Sequence, residues 1–217
     1  AGVISLESNS MEQKPKRIVL TGGPCAGKTI CLKEAGKTYG HRVILVPEAS
    51  TLLLSGNIPP PMGHADWPKS LVPGGTWRRA FQTQILATQK HLEASLYTLA
   101  IEVGAKVMIC DRGILDGAAY WPEGLTDFAR HFELDLAKVY NRYDLVIHLE
   151  SVVVCNQEDF GRNNNPTRFE DSAEALMRER LSREVWAGHP NREIIKAGDF
   201  ETKIRNALGA VARILNS

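Results

Sequence analysis

Eight consecutive residues limit what this chain can fold into more than any other stretch of it. Gly22-Gly23-Pro24-Cys25-Ala26-Gly27-Lys28-Thr29 matches G-x-x-x-x-G-K-[ST], with the apolar, β-branched run Arg17-Thr21 directly before it and a helix-compatible stretch directly after. The pattern works as a turn between a buried strand and a helix. Its glycines let successive backbone N–H groups face inward on phosphate oxygens, and the helix adds the positive end of its dipole. Lys28 is then expected to reach the β- and γ-phosphates and the Thr29 hydroxyl to ligate Mg²⁺. The expected nucleotide contacts are Gly22, Gly23, Pro24, Cys25, Ala26, Gly27, Lys28, Thr29 and the adjoining Ile30.

Such a loop needs a parallel sheet around it, and the rest of the chain supplies one. Short apolar runs at Arg17-Thr21, Arg42-Val46, Lys106-Cys110, Asp144-Leu149 and Glu193-Lys196 alternate with longer helical stretches, which predicts an α/β fold with helices on both faces of five parallel strands. Apolar residues from Phe81 to Val103 recur at helical spacing, predicting one long helix over Thr76 to about Gly104. Further helices are predicted over Ser172-Trp186 and about Glu201-Leu215. Two stretches break the regularity. Gly56-Gly75 is rich in Pro and Gly, and Ser151-Asp171, with Asn163-Asn164-Asn165-Pro166, reads as a mobile flap.

The 217 residues are 43% hydrophobic and 24% charged with a net charge of +1, so neither disorder nor an obligatory polyanionic partner is implied. One domain over residues 11–217 is expected, with residues 1–10 read as a remnant of expression. There is no run of about 18 apolar residues, and Cys25, Cys31, Cys110 and Cys155 follow neither a zinc nor a disulfide spacing. The expectation is a reduced, cytoplasmic protein. The scattered His64, His131, His148 and His189 point to no transition-metal site, and His148, within a strand, reads as a core histidine.

Candidate chemistry gathers at the carboxyl ends of the predicted strands, the ligand-binding edge of an open α/β sheet. Asp111 follows the third run and occupies the place of a Walker B carboxylate, with helix capping as its alternative. Arg112, next to it, suits a transferring or accepting phosphate; a surface ion pair is the bland reading. Glu48, just past the second run, is either a general base or ligand to metal-bound water, or a helix N-cap. Asp116 is a substrate contact or a helix-face acid. Arg162 and Arg168 in the flap are lid arginines or solvated side chains. Tyr120-Trp121 and Trp67 offer aromatic surface for stacking or for the core.

Taken together, LTGGPCAGKT, VPEAS-TLLL, ICDRGILDGAAYW, NNNPTRFED and E-VWAGHPNREII resemble the NadR-like AAA-domain ATP-binding proteins, over Lys16 to Leu215. That group contains the amino-terminal nucleotide-binding domain of the TRPL translocation defect protein and the NadR-type ribosylnicotinamide kinase domain. The resemblance implies a three-layer α/β/α P-loop NTPase fold with sheet order 2-3-1-4-5 and a lid after the fourth strand. It implies nucleotide binding by Gly22 to Thr29, a phosphate- or metal-facing pair at Asp111 and Arg112, an acid at Glu48, lid arginines at Arg162 and Arg168, and an adenine pocket near Ala197-Gly198. The triphosphate-binding domain of the TRPL protein and the adenylyltransferase half of NadR have no counterpart here, so their activities and the NadR substrate are not carried over.

The expected activity is Mg-ATP-dependent phosphoryl transfer to a small nucleoside- or nucleotide-like acceptor, with GTP kept open as donor. Substrate contacts would come from Glu48, Arg112, Asp116 and Tyr120. The alternative is an ATP- or GTP-binding switch acting through a protein or a phosphoinositide. An oligomeric remodelling ATPase is disfavoured, since neither a helical small domain nor an arginine finger is readable. No basic tract interleaved with aromatics signals nucleic acid.

Overall fold

The computed structural model describes residues 14–61, 75–154 and 172–217. Five strands, β1 (Lys16–Thr21), β2 (Val43–Val46), β3 (Val107–Asp111), β4 (Leu145–Leu149) and β5 (Arg192–Ile195), form one parallel sheet in the order β2-β3-β1-β4-β5. Each lies within one residue of its predicted bounds. Helices α1 (Lys28–Tyr39), α2 (Ala49–Ser55), α3 (Gly75–Glu102), α4 (Gly124–His131), α5 (Leu136–Tyr140), α6 (Ser172–Val185) and α7 (Phe200–Leu215) cover it.

Strand residues alternate between two cores, which explains why the runs read as continuously apolar. Ile18, Leu20, Ile109, Leu145 and Ile147 face α1 and α7, where they meet Leu32, Ala35, Ile204 and Val211. Val19 and Val146 face the opposite side, against Leu115, Phe128 and Trp186. Val46, Met108 and Cys110 pack on Leu92, Leu96 and Tyr97 of α3. With both faces shielded, the sheet's free polar edge is the row of strand carboxyl ends. The order reverses at β1, with β3 on one side and β4 on the other, and a crevice opens at that switch point.

Between β3 and β4 lie elements with too short a period to read from sequence: a 3-10 turn over Asp116–Tyr120, then α4 and α5. The last is a single turn held by Asp135, whose carboxylate accepts from Lys138 N at 3.2 Å. The flap expected after β4 is seen only at its start, a turn over Val152–Val154. Arg162, Arg168, Trp67, His64 and Cys155 lie outside the described residues. Among those described, Cys31 and Cys110 are buried thiols in no disulfide, and no helix is long and apolar enough to cross a membrane.

Candidate functional site

The loop joining β1 to α1 needs its glycines for stated reasons. Gly22 has φ +136°, and a Cβ there would stand 2.1 Å from the Leu149 carbonyl oxygen; Gly27 has φ +86° with the Phe200 ring 3.1 Å from its Cβ position. Cys25 also takes a left-handed φ, +58°. The resulting coil wraps the Lys28 ammonium, which donates to the carbonyls of Gly22 at 2.9 Å and Gly23 at 2.8 Å. Burial and the neighbouring Arg112 lower its pKa to about 8, against the pull of Asp111, Glu48 and Asp116. The first turn of α1 carries no acidic residue and Gly27 provides no side-chain cap, so its leading N–H groups are left for an anion.

Asp111 ends β3 and meets this turn. Its Oδ2 accepts from the Thr29 hydroxyl at 2.7 Å, while Oδ1 is buried with no partner among the described residues. Burial and the nearby Glu48 carboxylate raise its pKa, opposed by Lys28 and the Thr29 hydrogen bond. A hydroxyl beside a carboxylate with an unmet oxygen is a hard-oxygen donor set that suits Mg²⁺, a cation that commonly takes one or two protein ligands and fills its shell with water and phosphate. No cluster of three or more His, Cys, Asp or Glu able to hold a metal occurs among the described residues.

Arg112, the next residue, has φ +75°. Its backbone is pinned on both sides: its N–H donates to Leu20 O at 3.0 Å, and its carbonyl accepts from Gln89 Nε2 at 2.9 Å. The side chain turns over the loop. Nε donates to Glu48 Oε1 at 2.5 Å, whereas Nη1 and Nη2 make only 3.4 Å contacts, with Gly22 O, Asp116 Oδ1 and the Tyr120 hydroxyl. Glu48 stands at the N-cap position of α2, but its carboxylate makes no capping bond; it faces Arg112 and accepts from the Thr51 hydroxyl at 2.5 Å. Burial pushes its pKa up, yet Arg112, Lys28 and Thr51 together outweigh that and hold it at about 2.

Asp116 reaches the same place from the 3-10 turn, with both oxygens already engaged. It accepts from the Thr21 hydroxyl at 2.6 Å, the Gly113 N–H at 2.8 Å and Trp186 Nε1 at 3.1 Å, so it ties β1, the Arg112 turn and the residue just after α6 together. Tyr120 lines the site and lies beneath two guanidinium groups, with Arg112 Cζ at 5.6 Å and Arg178 Cζ at 5.0 Å from the ring centre. Trp121 belongs to the core, edge-on to Phe128 and Phe132.

These groups border a cavity of about 700 Å³ that runs from the loop, past Glu48 and Arg112, to Phe81, Ile85 and Leu86 of α3. The loop residues from Pro24 to Ile30 line it; Ala197 and Gly198 do not, and the Ala197 N–H is taken by Glu150 Oε2 at 2.9 Å. Arg178, Gln82 and Phe200 line it without having been singled out from sequence. A fourth residue missed there is Glu179, whose carboxylate accepts from the Gly23 N–H at 2.7 Å and from the Ser151 N–H at 3.2 Å, and pairs with His148 Nε2 at 2.6 Å. Both Arg178 and Glu179 are hidden in the charge-dense MRERLSRE of α6, which reads as a solvated face. The reading of His148 as a satisfied core histidine is met in part: it is fully buried and its Nε2 pairs with Glu179, but its buried Nδ1 has no partner among the described residues.

A phosphate-cradling turn set against a half-satisfied carboxylate on the neighbouring strand, in a sheet of this order, defines a nucleotide-binding P-loop NTPase. Residues 17–203 match the family profile described as an AAA domain, and the chain belongs to that family. No curated protein matches the chain.

Proposed function

We propose that this protein is a Mg-ATP-dependent kinase passing the γ-phosphoryl group to a small nucleoside- or nucleotide-like acceptor, in keeping with the resemblance to the NadR-like group. One observation carries the reading: the cavity does not end at the phosphate loop but continues beyond the Glu48–Arg112 pair to an apolar wall of Phe81, Ile85 and Leu86. Hydrolysis needs room for a water, while this extension away from the loop has an apolar lining of the kind that encloses a small molecule.

Phosphoryl transfer asks for positioning and charge stabilisation more than covalent chemistry. The loop amides and the N-terminus of α1 would hold the donor's phosphates, with Lys28 turning from the Gly22 and Gly23 carbonyls to their oxygens. Thr29 and Asp111 would hold Mg²⁺, which when bound offsets phosphate charge. Arg112 is fixed through Nε, leaving its terminal nitrogens, in long contacts only, to follow the group in transfer. Glu48, kept ionised by that same arginine, is a weak base; it would orient the acceptor hydroxyl and receive its proton late, as a loose transition state permits.

The test is ATP and GTP consumption with Mg²⁺, alone and across nucleosides, nucleoside monophosphates, nicotinamide riboside and phosphoinositide head groups, with Lys28→Ala as control. The expected result is a large, Lys28-dependent stimulation by one acceptor with its phosphorylated product detected by mass spectrometry. Tight nucleotide binding with no acceptor stimulating turnover would sink the kinase reading in favour of a nucleotide-dependent switch.

A further inference from the structure

The peptide unit between Gly22 and Gly23 turns its carbonyl into the loop, where it accepts from Lys28 Nζ at 2.9 Å and Arg112 Nη1 at 3.4 Å. In a trans peptide the N–H points the opposite way, and no cis bond occurs among the described residues. The Gly23 N–H is therefore driven out of the loop into the protein, where an unmet donor is costly. It meets the carboxylate of Glu179 at 2.7 Å.

That carboxylate is itself closely held. Oε1 pairs with the buried His148, and Oε2 also accepts from the Ser151 N–H, while the Ser151 hydroxyl donates to the Pro24 carbonyl. Burial raises the Glu179 pKa, but His148 and the two backbone N–H groups outweigh it and keep the group below the usual carboxylate range. The fit from the other side is equally tight: a Cβ on Gly23 would stand 2.7 Å from Glu179 Oε2 and 2.9 Å from its Cα. Two successive glycines put no side chain in the way of a flip of the unit they share. A flipped unit would present an N–H to the Lys28 ammonium and take away one of its two carbonyl acceptors, that of Gly22.

We propose that Glu179 is the positioning residue of the phosphate loop: by holding the Gly23 N–H it fixes the Gly22–Gly23 peptide plane, and through it the placement of Lys28 and Arg112. The proposal rests on nucleotide binding by the loop and not on the kinase reading or its acceptor. Replacing a carboxylate that only stabilises the fold would lower the melting temperature and leave nucleotide affinity unchanged in the folded protein. Replacing a positioning residue weakens nucleotide binding in protein that is still folded.

The experiment uses the full chain with Glu179→Gln and Glu179→Met, measuring Mg-ATP affinity by calorimetry, amide exchange over Gly22 to Gly27 by mass spectrometry, and melting temperature without nucleotide. Hydrogen bonds to charged groups are worth roughly tenfold or more in an equilibrium, so Glu179→Gln is expected to bind Mg-ATP about 10-fold more weakly. Glu179→Met is expected to lose more, and both to exchange faster over the loop. Wild-type affinity in a folded Glu179 variant would overturn the proposal. Should both variants fail to fold, Gly23→Ala displaces the carboxylate from the loop side: a comparable loss supports the proposal and unchanged affinity overturns it. Failure of the wild-type chain to bind Mg-ATP would instead defeat the nucleotide-binding premise.

Discussion

Two buried carboxylates lie close to β3 and are finished in opposite ways. Glu93 of α3 is wholly inaccessible, and each oxygen has a donor: Gln89 Nε2 at 3.1 Å and the Tyr143 hydroxyl at 2.8 Å on Oε1, Arg142 Nε at 2.8 Å on Oε2. Asp111 at the strand's end has the Thr29 hydroxyl on one oxygen and, among the described residues, nothing on the other. A satisfied polar network rigidifies what it joins, and here it joins α3 to Arg112 through Gln89, which also donates to the Arg112 carbonyl. An unsatisfied buried group is destabilising unless something else completes it. The contrast separates the part of the molecule that builds the site from the part left for ligand.

The sharpest way to break this division is to remove the cation on the ligand side. Lys28→Ala is expected to lower nucleotide-dependent turnover about 1,000-fold, the upper range for losing one preorganised donor to developing charge. Thermal stability should hardly fall, because burial already disfavours the Lys28 ammonium and has lowered its pKa to about 8. A large drop in melting temperature with preserved turnover would place Lys28 with Glu93 as a structural charge.

A paired substitution puts the two carboxylates side by side. Asp111→Asn should cut Mg²⁺-dependent turnover about 100-fold, since a neutral amide is a poor partner for a hard divalent cation. The same change should leave the nucleotide-free protein as stable or more so. The Asp111 pKa is raised by burial and by Glu48, so its charge costs folding free energy that grows as pH rises through the folded value. Glu93→Gln is expected to do the opposite, with stability down about 3 kcal/mol, as when a buried pair loses one member. Denaturant unfolding and steady-state kinetics on both variants read the two effects, and equal stability losses would erase the distinction.

This division also marks how far the sequence could be read. The strands were legible because each central one is buried on both faces, and Gly22 and Gly27 because left-handed or crowded backbone admits little else. Thr29 and Asp111, marked as candidates from the loop pattern and the strand end, lie in hydrogen-bond contact. What escaped depends on distant segments. Glu179 lies 156 residues from the Gly23 N–H it accepts, inside a helix whose charges suggest solvent. The choice between the two readings of Glu48 turns on which way a side chain swings at a helix start, a matter of Arg112 being within reach. Spacing carries neither kind of information.

Glu48 sharpens the comparison from a third carboxylate, one completed by a cation but facing the cavity. Its folded pKa, about 2, is below its ordinary value of 4.5, so its contribution to stability is present above about pH 4.5 and is lost as pH falls toward 2. Glu48→Gln should therefore flatten the loss of stability between pH 4.5 and 2, by about 1–2 kcal/mol after allowing for its partial exposure. Urea unfolding at several acid pH values measures this directly, and parallel curves for variant and wild type would show that the Arg112 pair contributes nothing to folding.

The smallest effect tests whether the outer rim of the ligand side belongs with the site. Phe200 is 44% exposed, lines the cavity and sets its ring against Gly27, at the carboxyl side of the loop. An exposed aromatic adds little to folding because its burial is incomplete, but it gains on binding when a flat base covers it. Phe200→Ala is expected to weaken nucleotide binding about 3- to 10-fold, the worth of one ring contact, with almost no change in melting temperature. Affinity for a base-free triphosphate should be the same in variant and wild type, because loop N–H groups and Lys28 would hold the phosphates while the Phe200 ring only packs beside Gly27. Equal weakening of both ligands would mean that the ring acts by shaping the Gly27 turn, and would move Phe200 from the ligand's side of the comparison to the builder's.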